Sequence, residues 1–387
     1  MRILLIASRY PLPSWRGNQV RTIEWLEALD GHQRLLLCPR PALSASGTVP
    51  CETQFFKRSH VARGRGLVRA LTTGRPLQEG LYDTPAARRA VAETSARWKP
   101  DIVVIQMVRC AWALEALTDS IPSCRVVFDA IDSMTLHFAR AADAAAPPLR
   151  SALRGEAARC RRLEKELVGA AHMTTAVSRR DLEALGTLPG CGRVVPVAGR
   201  EIPGTVAPTE GSVVLLSGNL GYRPTVRGAL WFAREIWPEL RRRVPGVRWV
   251  LVGARPGAAV RRLGSLPGIE VHADVPDLAP YFAAARVAVA PMSTGSGVPM
   301  KVLEAMAAGL PVVADPWAAA GLEEPTAVAA AGPAREWVTR LEHICTDAEA
   351  ARQLARAGHD LWRRVYHPDK VAERIREAVE AAAASTS

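Results

Sequence analysis

Lysine is nearly absent from this sequence. Only Lys57, Lys99, Lys165, Lys301 and Lys370 occur among 50 basic residues, so arginine carries most of the net charge of +12. Aromatic residues make up just 5%, and no motif for reading bases accompanies the charge, which argues against a nucleic-acid partner. The excess suits phosphate-bearing ligands or an anionic membrane surface; an arginine-favouring codon composition is the competing account. The seven cysteines are odd in number and widely spaced, and no C-x-x-C occurs. That excludes a disulfide framework or a zinc ribbon and predicts a reduced, cytoplasmic protein. The eight histidines form no H-x-x-x-H pair, so no metal site is indicated. Long apolar runs are missing too. Ile3–Ala7 is too short for a signal segment, and nothing approaches the roughly 20 residues of a membrane span.

What is present is an alternation of short β-rich runs with longer helical stretches, over a length of 387 residues that suits two or three domains. Strands are predicted at Arg2–Ser8, Gln33–Cys38, Asp101–Met107, Cys124–Asp129 and Met173–Val177. Helices are predicted at Asn18–Leu29, Thr84–Arg97 and Pro148–Val168. A loop-like stretch over 198–211 precedes a second cycle. Its strands fall at Ser212–Ser217, Arg248–Val252, Ile269–Val271, Val287–Ala290 and Val312–Ala314, with helices at Thr225–Arg243, Gly257–Leu263, Leu278–Ala284 and Met300–Ala308. After Gly332 the chain is helical. The order predicts an α/β protein of two Rossmann-like domains, with ligands outside the carboxyl ends of the strands.

The most informative segment is Pro291–Asp315. A strand runs into the small-residue loop Ser293-Thr294-Gly295-Ser296-Gly297, and a helix begins near Val298. Free N–H groups at a helix start suit phosphate, and Lys301 in the first turn adds a point charge. Glu304 follows one turn later, where a carboxylate can accept from a vicinal diol such as a ribose. Each piece alone has an ordinary structural reading as a turn, a cap or a solvated side chain.

Together these residues resemble the donor-site signature of retaining glycosyltransferases of family 4. That signature is Glu-x7-Glu followed by Ala-Met-Ala-x-Gly-x-Pro-Val-Val-Ala. Glu304-Ala305-Met306-Ala307-Ala308-Gly309-Leu310-Pro311-Val312-Val313-Ala314 matches its second half, and the first Glu position falls on Ser296, in a Gly-Ser-Gly loop shared by a subset of relatives. Leu216–Pro224 resembles the first strand and loop of the family's nucleotide-binding domain, with Asn219 in place of the usual arginine after Gly218. Arg223 or Arg227 stands in for the missing phosphate cations. In the first half, Gly17 and Asn18 fall where the family offers N–H groups to the transferred sugar; a plain helix cap by Asn18 is the alternative. The family's Asp-Ala-His-Asp is here Asp129-Ala130-Ile131-Asp132, so Ile131 replaces the histidine, and Asp129 or Asp132 is left to act on the acceptor hydroxyl or to anchor the strand end.

The resemblance implies the GT-B fold, with two facing Rossmann-like domains, an interdomain cleft and a C-terminal helix crossing back. The expected divisions are 1–200 for the acceptor side, 201–360 for the donor side and 361–387 for the tail. It implies transfer of a sugar from a nucleotide-diphosphate donor to an acceptor hydroxyl, with retention and without a metal or other cofactor. Asp132, Lys301 and Glu304 are the implied catalytic residues. Gly17, Asn18, Gly218, Asn219, Arg223, Arg227, Ser296, Gly297, Val298, Lys301 and Glu304 form the implied donor site. The acceptor class is a glycan, a lipid-linked species or a small molecule. The basic stretch Lys57–Arg75, with Leu67, Val68 and Leu71 interleaved, suggests a peripheral contact with the inner face of a membrane; a solvated helix and loop is the plainer reading. Two other functions fit the same scaffold: a sugar-nucleotide epimerase, and a partner subunit that has lost catalysis.

Overall fold

Short apolar strands alternating with helices favour parallel sheets, because each crossover helix returns the chain to the same edge direction. The computed structural model describes residues 1–14, 16–41, 47–57, 59–121, 124–202, 211–293 and 297–385. The chain divides into two compact units, Met1–Val197 with Val371–Ser387, and Ala198–Lys370.

The first unit holds β1 (Arg2–Ile6), β2 (Gln33–Pro39), β3 (Glu52–Phe56), β4 (Ile102–Gln106), β5 (Arg125–Ile131), β6 (Met173–Ala176) and β7 (Gly192–Val194). They form one parallel sheet in the order β3-β2-β1-β4-β5-β6-β7. Leu4 lies opposite Leu35 and Val103, and Ile6 opposite Leu37 and Ile105. All six join a single core cluster on one face, while Ile3, Leu5 and Val104 are buried on the other. Burial on both faces is why these central strands are continuous apolar runs. The last helix, Pro368–Ala384, buries Val371, Ile375, Ala378, Val379 and Ala382 in this unit, and Arg376 donates to the Ala28 carbonyl at 3.2 Å.

The second unit holds β8 (Val213–Asn219), β9 (Arg248–Ala254), β10 (Ile269–Ala273), β11 (Val287–Ala290), β12 (Val312–Ala314) and β13 (Ala329–Ala330), again parallel, in the order β10-β9-β8-β11-β12-β13. Residues of alternate parity along its strands feed two separate cores, Leu215, Val250 and Ala288 on one side and Leu216, Leu251 and Val289 on the other.

The structure departs from the sequence expectation at the edges. β3, β7 and β13 carry no apolar run because each is an edge strand with one side open. The helix expected over 225–243 is two helices, Arg223–Glu235 and Trp237–Arg243. Pro238 stands at the start of the second, where its missing N–H interrupts the first helix's hydrogen bonding and suits a new beginning.

Candidate functional site

In an open parallel sheet, the loops leaving two neighbouring strands in opposite directions open a crevice at the strands' carboxyl ends. The strand orders put this reversal between β1 and β4 in the first unit and between β8 and β11 in the second. The motif residues of the second half fall on the latter.

Gly218 near the end of β8 and Gly253 near the end of β9 are register partners, with φ of 110° and 147°. A Cβ on Gly253 would stand 1.8 Å from the Gly218 carbonyl oxygen, so glycine is required for the two backbones to meet. The space beside Gly218 belongs to Lys301: a Cβ on Gly218 would lie 3.9 Å from Nζ. Lys301 is the second residue of the helix Met300–Ala307, which has no side-chain cap at its start. Its ammonium donates to Thr225 Oγ1 at 3.1 Å and to Met292 Sδ at 3.2 Å, and the Thr225 hydroxyl donates to the same sulfur at 3.4 Å. Thr225 reaches this position because Gly228 lets its helix press on the exit of β11; a Cβ there would be 2.0 Å from the Pro291 carbonyl oxygen.

Lys301 is only 9% exposed. Burial holds its pKa down to about 8, against the pull of Glu304 in the other direction. Glu304, one turn further along the helix, is pushed up by burial, with Lys301 and then Arg200 drawing it back. In both groups desolvation outweighs mutual attraction, so each lacks a full counter-charge. A buried ammonium at a strand-end crevice, beside helix-start N–H groups and an under-compensated carboxyl, is suited to a ligand with a phosphate at one end and hydroxyls at the other.

The remaining donor-side residues are placed as follows. Gly297 is buried with φ of 65°, and Val298 is half-buried against the core; Ser296 lies outside the described residues. The Asn219 side chain accepts from the Gly221 N–H at 3.0 Å, which shapes the loop after β8. Arg223 and Arg227 are both exposed, on the same helix as Thr225 and on either side of it in sequence.

In the first unit, the helix Gly17–Ala28 begins where β1's loop ends. Its cap position is Arg16, whose side chain does not cap the helix, so Asn18 is not the cap. Asn18 is the second helical residue, and its carbonyl accepts from Thr22 Oγ1 at 2.8 Å. Asp129 is not available to an acceptor. It is fully buried and accepts from Arg21 at 3.0 and 3.2 Å, from Gln106 at 3.1 Å and from Thr175 at 2.8 Å, while Arg21 also donates to the Pro196 carbonyl at 2.8 Å. This network ties the ends of β4, β5 and β6 to the first helix. Asp132, three residues on, keeps a buried Oδ1 with no hydrogen-bond partner among the described residues. It follows Ile131, whose φ of 64° is rare for a β-branched residue, at a register irregularity between β5 and β6. Burial lowers the pKa of His137 nearby, while Asp132 raises it and Arg109 lowers it further.

The basic stretch Lys57–Arg75 is less free than its composition implies. Arg69 pairs with Asp83, and Arg75 pairs with Glu79 at 2.7 Å and Glu166 at 3.2 Å; Arg58 lies outside the described residues. Among the described residues no helix is long and apolar enough to cross a membrane, and no group of three or more His, Cys, Asp or Glu could hold a metal.

Thr225, Met292 and Arg200 were not singled out from sequence. A threonine in a first turn and a methionine after a strand carry no pattern of their own; only the fold brings them to Lys301.

Residues 211–347 match a family model described as glycosyl transferases group 1. No curated protein sequence matches the chain. Among solved structures, a sucrose-phosphate synthase from Thermosynechococcus elongatus is 18% identical, with 98% of each chain covered and a TM-score of 0.74. HepE from Anabaena in complex with UDP is 14% identical, covering 98% of this chain and 100% of that one at a TM-score of 0.68, and a trehalose-6-phosphate synthase is 13% identical with full coverage of both at 0.68. The two parallel-sheet α/β units and helical carboxyl terminus are thus those of the GT-B fold, and the segment that matches the group 1 model lies within the second unit.

Proposed function

We propose that this chain is a retaining glycosyltransferase that moves a sugar from a nucleotide-diphosphate donor to an acceptor hydroxyl without a metal ion. The observation that carries the reading is the buried Lys301 ammonium, held by Thr225 and Met292 at the β8–β11 crevice beside the Gly218 backbone. Breaking the bond between the anomeric carbon and the diphosphate oxygen leaves negative charge on the phosphate. Lys301, the N–H groups of Gly297, Val298 and the following helix start, and Arg223 or Arg227 stabilise that charge in a site of low water content. Glu304 holds the ribose hydroxyls, and Gly218 and Asn219 form the floor under the phosphates; the donor-sugar role that the resemblance gives Ser296 falls outside the described residues. Gly17 and Asn18 are carried over from the resemblance alone, as first-turn N–H donors of the first unit. Asp132, with its unsatisfied oxygen, orients the acceptor hydroxyl, whose oxygen bonds to the anomeric carbon while its proton passes to the departing phosphate. Fixed cations supply the charge that a metal would otherwise bring. UDP, carried by the Anabaena neighbour, is the natural first probe for the base. The described cysteines are all free, in keeping with a reducing cytoplasm.

The test is a panel of nucleotide sugars assayed for diphosphate release and for new glycoside, with and without chelator. Lys301→Ala and Glu304→Ala should each lower transfer by about a hundredfold or more. Unchanged activity in both variants overturns the site. An altered donor sugar without a glycoside makes the chain an epimerase, and no turnover of any donor favours a non-catalytic subunit.

A further inference from the structure

The helix His60–Thr73 in the first unit is turned the wrong way for a solvated helix. Its inner side carries Gly66 and Ala70, both buried, and Gly66 presses on the Gly80 carbonyl so closely that any side chain there would collide. At 100° per residue, the opposite side presents Val61, Arg65, Val68 and Thr72, with Leu71 at its margin. Val61 is 66%, Val68 62% and Leu71 57% exposed. Three large apolar side chains thus stand outward on a helix that contains no acid.

The exposed ionisable side chains at the helix start and on its outer side are basic. Lys57, His60 and Arg65 are exposed. Arg162 of the helix Leu149–Ala170 reaches Gly74, the residue that ends the helix; its Nη1 lies 3.3 Å from where a Cβ there would be. Four acids in the vicinity, Asp83, Glu79, Glu115 and Glu166, are engaged by Arg69, Arg75 and Arg88. Those pairings hold the helix in place, and among the described residues no ion pair engages Lys57 or Arg65.

We propose that this face docks on an anionic lipid bilayer. Val61, Val68 and Leu71 enter the headgroup boundary, while Lys57 and Arg65 meet lipid phosphates. Three apolar side chains give only marginal partition alone, and a handful of cations near an anionic surface add the rest, so binding is reversible and depends on lipid charge. This contact stands apart from the glycosyl-transfer reading, since its readout is lipid binding and not turnover.

The test is sedimentation of the full chain with phosphatidylcholine vesicles, with and without about one-third phosphatidylglycerol. The chain should pellet with the mixed vesicles, about tenfold or more tightly than with phosphatidylcholine alone, and less so as salt rises. Val61→Asp with Val68→Asp should lower that binding about tenfold or more, and Arg65→Glu by a similar factor. Leu266→Asp, at an exposed position of the second unit, should leave it unchanged. Should the aspartate pair fail to fold, Val61→Ser with Val68→Ser should show a fall in the same direction. The proposal is overturned by failure to pellet, by equal binding to neutral and anionic vesicles, or by folded variants that bind like the parent. It is also overturned by a concentration-dependent dimer in light scattering that the same substitutions abolish, which would make a second copy the occupant.

Discussion

Replacing Lys301 with methionine should stabilise the protein while weakening its hold on the proposed nucleotide-diphosphate donor. The ammonium is desolvated, and the gap between the ordinary lysine value of 10.5 and its value here of about 8 corresponds to about 3 kcal/mol of cost in the charged state. At neutral pH folded and unfolded chains both hold the proton, so the cost is borne in full. Between about pH 8 and 10.5 the folded chain gives up the proton first, the unfolded chain binds more protons, and wild-type stability rises with pH. Lys301→Met carries no such cost at any pH. It keeps the length of the side chain and leaves Thr225 its bond to Met292, but Glu304 loses a favourable charge. A net gain of about 1–3 kcal/mol at pH 7 is expected, or a rise of about 3–10 °C in Tm for a unit of this size. Urea unfolding of the ligand-free protein near pH 7 and near pH 10 measures it; the advantage should shrink toward zero at the higher pH. UDP affinity by calorimetry at pH 7 should fall by about 30-fold or more. A destabilised variant at pH 7, or an advantage that persists unchanged at high pH, refutes the buried-ammonium argument.

Three further outcomes are expected. Glu304→Gln should weaken UDP by about tenfold while barely changing the affinity of a dideoxyribose analogue, which lacks the hydroxyls assigned to the carboxylate in the proposed site; equal losses for both in calorimetry would remove its ribose role. Arg21→Met leaves Asp129 charged and buried without its partner, and should cost about 3–5 kcal/mol in urea unfolding of the first unit with UDP binding in the second retained. Gly253→Ala pushes a methyl into the Gly218 carbonyl and should lower both stability, by about 2–4 kcal/mol, and UDP affinity; full retention of both would show that the two strand ends can part without consequence.

The central strands were legible because burial on both faces leaves no choice but an apolar run, as in Ile102–Gln106 or Val213–Leu216. Edge strands such as Ala329–Ala330 have no such constraint and escaped notice. The helix start at Lys301 was legible because glycine, proline and charge cluster within a few residues. Thr225 was not: its hydroxyl matters only because Gly228 lets one helix settle on the exit of a strand more than sixty residues further along the chain. The alternative of Asn18 as a cap fails because the helix begins two residues earlier than that cap requires. Asp129 and Asp132 look alike as a pair in sequence, and only the arginine from a helix over a hundred residues earlier separates the anchored carboxylate from the unsatisfied one.

The way the chain enters and leaves the second unit gives it the anatomy of an inserted domain. The Gly199 N–H donates to the Tyr366 carbonyl at 3.0 Å, and the Trp362 indole donates back to the Gly199 carbonyl at 3.4 Å, so the first and last residues of this unit lie side by side. A segment whose ends already meet loses little when it is cut out. Residues 198–370 should therefore be expressible as a separate protein, retaining the Thr225–Lys301–Met292 cluster. The first unit has the opposite property: its final helix is synthesised only after the whole insertion, so it stays incomplete until residues 198–370 have been made.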